Sequence, residues 1–134
     1  MSNKNIKKEC EMIWAKNKYY VLSKSHKEYL EIREYLKEKE VDIACINERI
    51  QKVRCMKESK KDFSNAILHL WGYFKKQATE MEKQGLFNIL EEYMDGKSNR
   101  KSVIEYIQML LKKYPNKYLQ ESTLLTGEQD ETVA

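Results

Sequence analysis

Asn65, His69, Gly72, Tyr73 and Lys76 follow one another at steps of four, three, one and three residues. On a helix that spacing puts them on a single stripe. Imidazole, carboxamide and phenol on one stripe suit two chemistries. His69 can act as a general acid or base, oriented by Asn65 and assisted by Tyr73. Alternatively, the three side chains can line a polar pocket for a nucleotide. A third reading needs no ligand, because a buried His, Asn and Tyr can form a hydrogen-bonded network that only specifies the packing. Ile67, Leu70, Trp71 and Phe74 take up other faces of the same helix, which predicts burial on several sides. Gly72 is unfavourable by about 1 kcal/mol against alanine inside a helix, so close helix packing or room for a ligand is its expected use.

A second group lies upstream. Trp14, Lys16, Lys18 and Tyr19 are followed by His26 and Tyr29. Rings interleaved with ammonium groups suit nucleic acid, the rings stacking on bases and the lysines meeting phosphates. The same pattern suits a helix that turns its rings inward and extends its lysines to water. Lys75 and Lys76 would add phosphate contacts to Lys16 and Lys18. The net charge is +4, but the last seven residues hold Glu128, Asp130 and Glu131 and no base. Without these three of the chain's 21 acids, residues 1–127 carry 25 bases against 18 acids, a balance of +7. That balance permits an anionic partner such as RNA without requiring one.

Several classes are disfavoured. The phosphate-binding glycine loops, the H-E-x-x-H zinc pattern and the G-x-S-x-G elbow do not occur. His26 and His69 are the only histidines, which excludes a multi-histidine metal site; a mixed site stays open but nothing marks one, and no metal or cofactor is expected. Cys10, Cys45 and Cys55 lack C-x-x-C spacing and read as buried thiols of a reducing, cytoplasmic compartment. The methionines Met12, Met56, Met81, Met94 and Met109 read as core. No stretch reaches the roughly 20 apolar residues of a membrane span.

The elements that position these residues are helical. Of 134 residues only four are glycine and one is proline, and no strand pattern competes. Apolar spacing predicts a helix over 6–22. Ser25 with Glu28 offers a capping box for a second helix, unless one long helix bends near 23–25. A third helix is expected over 41–57, and a fourth from an Asp62 cap toward Glu82, with a joint at Gly85. A short stripe should end at a left-handed Gly96. Ser98 should cap a helix carrying Val103, Ile107 and Leu110, and Pro115 either stops it or opens a short terminal one. The expected architecture is an all-α, compact antiparallel bundle of about six helices. Residues 1–126 form one domain and 127–134 a flexible acidic tail.

The run Asn65-x3-His69-Leu-x-Gly72-Tyr73-Phe74-Lys75 resembles the signature of the YbgA-like domain, long catalogued as a domain of unknown function. Lys18-Tyr19, Ser25-His26-x2-Tyr29, Glu82-Lys83, Tyr93-x2-Gly96 and Tyr118-Leu119 match as well, so the resemblance covers roughly residues 12–122. Asn17 stands where the family often has a basic residue or histidine. The resemblance implies an all-helical domain, found alone or fused behind an iron–sulfur domain similar to thiouracil desulfidases. Such partners remove sulfur from thiolated pyrimidines, including 4-thiouridine in tRNA. The role it implies here is accessory: recognition or presentation of tRNA, with an iron–sulfur desulfidase-type partner doing the chemistry.

Overall fold

The computed structural model describes residues 3–127, so all of the expected acidic tail 127–134 except Gly127 lies outside them. Eight α-helices are found among the described residues, and no strand: α1 Asn3–Lys24, α2 His26–Tyr35, α3 Ile43–Arg54, α4 Lys60–Trp71, α5 Glu80–Met94, α6 Arg100–Lys113, α7 Lys117–Gln120 and α8 Thr123–Thr126. The all-helical reading stands. The count is eight where about six were expected, because the chain after Pro115 adds two single-turn helices.

Ser25 settles the question of one helix or two. Its backbone is extended (φ −157°, ψ 107°), and its hydroxyl accepts from the Glu28 N–H at 3.1 Å, which caps α2. The reciprocal half of the box is missing for a simple reason. The Ser25 N–H already donates to the Val21 carbonyl at 2.8 Å. The Glu28 carboxylate instead accepts from Lys52 at 3.1 Å, tying α2 to α3.

Two caps are corrected. Ser59, not Asp62, caps α4, accepting from the Asp62 N–H at 3.2 Å. Asp62 sits in the first turn, and its carboxylate accepts from the backbone N–H of His26 at 3.2 Å. Asn99, not Ser98, caps α6. Each miss is a choice between neighbouring residues of capping type, which only tertiary context decides.

The joint at Gly85 is also corrected. The fourth helix stops at Trp71, and the chain turns through 72–78 before Thr79 starts α5 with a full capping box to Glu82. Gly85 is inside α5, against the Tyr106 ring of α6; a Cβ there would collide with the Tyr106 hydroxyl. Gly85 therefore serves helix contact. Gly96 (φ +79°) ends α5 in the left-handed conformation as expected, and Gly127 (φ +78°) does the same for α8.

Phe63, Ile67 and Leu70 of α4 are fully buried, as are Ile46 and Val53 of α3 and Val103, Ile107 and Leu110 of α6. Ile67, Leu70, Val103, Ile107 and Leu110 are among the residues whose helical spacing marked them as apolar face. The hub is α1, which packs on α2, α3, α4 and α8, while α5 lies on α4 and α6. Tyr19 pairs with Tyr73 and His26 with Asp62, so the 62–73 stretch runs back along 19–26. Asn17, buried on α1, donates to the Ile13 carbonyl at 2.9 Å and accepts from the Thr123 hydroxyl at 2.8 Å. It locks the unexpected α8 to the hub. The methionine expectation fails: Met12, Met81, Met94 and Met109 are exposed, and only Met56 packs on the core. Of the cysteines, Cys10 is buried, Cys45 half-buried and Cys55 exposed; all three are free.

Glu82 ties the start of α5 to the end of α6. Its carboxylate accepts from the Thr79 N–H at 2.8 Å, the Tyr114 hydroxyl at 2.7 Å and the Lys113 ammonium at 2.9 Å. These donors, the Thr79 N–H foremost, hold its pKa down to about 2. A carboxylate lowered in the folded state stabilises above its unfolded value, about 4.3, and that stability is lost as pH falls toward 2. Glu82→Gln is therefore expected to lower stability at neutral pH, with the gap to the parent closing between about pH 4.5 and 2. Urea denaturation across that range checks it; a gap that does not depend on pH would contradict the assignment.

Candidate functional site

The Asn65–His69–Tyr73 stripe does not form a buried pocket. Asn65 is half-buried, while His69, Gly72 and Tyr73 are exposed. Asn65 and His69 are on α4, but Tyr73 already belongs to the tight turn that follows, where N–H groups of 72–74 reach back three residues. Among the described residues the side chains of Asn65 and His69 have no hydrogen-bond partner, and the Tyr73 hydroxyl pairs with Tyr19 at 2.8 Å. Neither the orienting contacts of a general base nor a closed network is present at His69. Gly72 has ordinary helical angles (φ −53°, ψ −27°), and a Cβ there would meet only the His69 carbonyl oxygen at 3.1 Å. The expectation of burial fails because Phe63, Ala66, Ile67, Leu70 and Trp71 bury enough of α4 by themselves.

What the fold assembles is a face of rings around Lys18. The chain brings α1, α2, the turn after α4, and α7 together there. Trp14 and Lys18 are four residues apart on α1, hence on one side of it. The Trp14 ring lies 5.4 Å from Tyr29 of α2, and His26 stacks on Tyr29 at 6.4 Å with an 11° interplanar angle. On the other flank, Tyr19, Tyr73 and Tyr118 form a triangle with centroid distances of 6.2 to 6.3 Å.

The Lys18 ammonium sits on the tyrosine triangle. It sits 5.3 Å from the Tyr19 ring centroid and 5.2 Å from that of Tyr118. Burial works against its charge, but the hydrogen bond to Tyr118 and the fields of Tyr118, Tyr73 and Tyr29 outweigh this, leaving its pKa raised. Lys18 is thus a fixed cation on a ring-lined surface. Tyr19 is a correction: it is buried, so its ring supports the face from below and cannot stack on a base. Burial, then the hydrogen bond to Tyr73, push its hydroxyl well above the ordinary phenol value, so it stays protonated.

The other lysines divide. Lys75 and Lys76 are exposed in the same turn as Tyr73. Lys16 is exposed too, but it stands two positions from Lys18, which on a helix is nearly the opposite side. Its carbonyl accepts from Thr123 of α8, so Lys16 borders α8 and not the ring face. Tyr118 is the residue that site reasoning missed. Its only signal in the sequence was the Tyr118-Leu119 match to the family pattern.

Among the described residues no group of three or more His, Cys, Asp or Glu is placed to hold a metal ion. No helix there is long and apolar enough to cross a membrane. Comparisons with curated proteins and with solved structures gave no match. A family model described as a protein of unknown function (DUF1722) matches residues 18–127. That span takes in most of the chain and every matching run noted above, leaving out Trp14, Lys16 and Asn17, and the chain belongs to this YbgA-like family of unknown function.

Proposed function

We propose that the ring face around Lys18 is an RNA-binding surface, and that the chain is a non-catalytic, cytoplasmic accessory module acting on tRNA. The observation that carries this reading is Lys18, a half-buried cation held between Tyr19 and Tyr118 with Trp14, Tyr29, His26 and Tyr73 around it. Unpaired bases stack on such rings, and a fixed ammonium group among them meets a phosphate. Lys75 and Lys76, exposed beside Tyr73, extend the positive charge along the track of a bound strand. His69, exposed on α4, and the half-buried Asn65 one turn before it are available as hydrogen-bond donors and acceptors to base edges. A desulfidase-type iron–sulfur partner, with 4-thiouridine in tRNA as the target of the pair, is supported by the family resemblance.

The two tryptophans provide the test. Trp71 is buried in the core and Trp14 is partly exposed on the face. Adding bulk tRNA, thiolated or unthiolated, is expected to quench the emission of the purified chain. A Trp14→Phe variant should lose that response, and thiolated tRNA should bind the more tightly. Quenching that persists in the variant, or no response to either tRNA, would remove the ring face from consideration.

A further inference from the structure

The arrangement of the rings around Lys18 determines which form of RNA the face can hold, a point that rests on the RNA-binding reading of that face. In a duplex the bases lie parallel, rise about 3.4 Å per step and present only their edges in the grooves. Their flat sides are covered by one another. A platform of rings is therefore of use only to bases that have left the stack.

The tilts between the rings restrict the strand further. Trp14 and Tyr29 have centroids 5.4 Å apart and planes inclined at 41°. Tyr73 and Tyr118 are 6.2 Å apart and inclined at 39°. Two neighbouring bases lying flat on either pair would be inclined by the same angle, so they could not stay stacked on each other. His26 and Tyr29 are nearly parallel, at 11°, but their centroids are 6.4 Å apart. That separation is close to twice the rise of about 3.4 Å between stacked bases. Each pair of rings thus spreads consecutive bases apart instead of receiving them as a stack. Solvent reaches these rings: His26 is exposed, Tyr73 is 38% exposed, and Trp14, Tyr29 and Tyr118 are half-buried.

The charge on the face favours the same form. Double-stranded RNA is gripped through phosphates and 2′-hydroxyls across its minor groove. Here the contacts gathered on the face run from ring to ring, and the cation set among them, Lys18, rests on Tyr19 and Tyr118. Rings with a cation set among them are the make-up of a single-strand site. Trp14 and Lys18 stand one turn apart on the same side of α1, about 6 Å along its axis. A base on Trp14 and a phosphate at Lys18 therefore follow α1, and the next base meets Tyr73 and Tyr118. From this geometry we infer that the face binds a short, extended, unpaired RNA strand, its bases spread over the rings and its backbone passing Lys18 toward Lys75 and Lys76.

Fluorescence anisotropy of labelled RNA with the full chain, at about 50 mM salt, tests this. Hexauridylate should bind about ten-fold tighter than a blunt RNA duplex of similar length, and should displace tRNA. Trp14→Ala should weaken hexauridylate binding about ten-fold. Trp14→Phe should restore most of that affinity, and neither variant should alter the circular dichroism. Within tRNA the unpaired stretch is either the 3′ end or a loop. Loss of tRNA binding on removal of the unpaired 3′-terminal nucleotides assigns the end. Unchanged binding that hexauridylate still competes away assigns a loop. A duplex that binds as tightly as hexauridylate, hexauridylate binding unchanged in Trp14→Ala, or bound tRNA that hexauridylate does not displace would overturn the unpaired-strand inference and leave an RNA face. No binding of any of these RNAs would remove the RNA reading itself.

Discussion

Trp14→Ala combined with Lys18→Gln is expected to weaken tRNA binding about ten- to a hundred-fold while the chain remains folded. The estimate has two parts. Stacking of a base on an aromatic ring is worth about 1–3 kcal/mol, and Trp14 is the largest ring on the face. Lys18 contributes a charge whose position is fixed by two tyrosine rings, so little ordering remains to be done when a phosphate arrives. Glutamine keeps most of the length of lysine and removes only the charge. Circular dichroism of the variant should match the parent, because neither side chain is fully buried. His69→Ala is the useful contrast: an exposed imidazole without a partner is expected to change stability little, and to reduce binding less than the double substitution. If His69→Ala abolished binding while the Trp14/Lys18 variant bound normally, the site would have to move to the α4 stripe.

Phe63→Ala should cost about 3–5 kcal/mol of stability, enough to unfold much of the population of a marginally stable domain. Phe63 is fully buried in the first turn of α4, where its ring meets Tyr93 of α5 at 5.0 Å and carries the Arg100 guanidinium of α6 on its face at 5.0 Å. One side chain thus joins three helices. Truncation leaves a cavity there and removes the surface on which Arg100 rests. Urea denaturation of the variant against the parent measures this, and a loss below about 1 kcal/mol would mean that the junction repacks.

Helical periodicity made most of the core legible, because burial in a bundle depends on where a side chain stands around its own helix. Ile67, Leu70, Ile107 and Leu110 needed nothing else. Boundaries were less legible where two residues compete for one role. Ser59 and Asp62 are both of capping type; Ser59 caps α4, and the Asp62 carboxylate accepts from the His26 N–H instead. The break between α4 and α5 was present as Thr79-x2-Glu82, a full capping box that the more conspicuous Gly85 obscured. The candidate site was legible in part: Trp14 and Lys18 share a helix face by spacing alone. Tyr118 joins them from α7, across a hundred residues of chain, and no local pattern encodes that meeting. The polar stripe on α4 misled for a physical reason, since a helix with an ample apolar face can leave His69 in water at no cost.

The affinity of the unaltered chain for tRNA, measured across salt from about 50 to 200 mM, tests the central claim most directly. Three phosphate contacts, from Lys18, Lys75 and Lys76, predict that log K falls linearly with log salt with a slope of about −2 to −3. Affinity that is absent at the lowest salt, or that does not change as salt rises, would contradict an RNA-binding face.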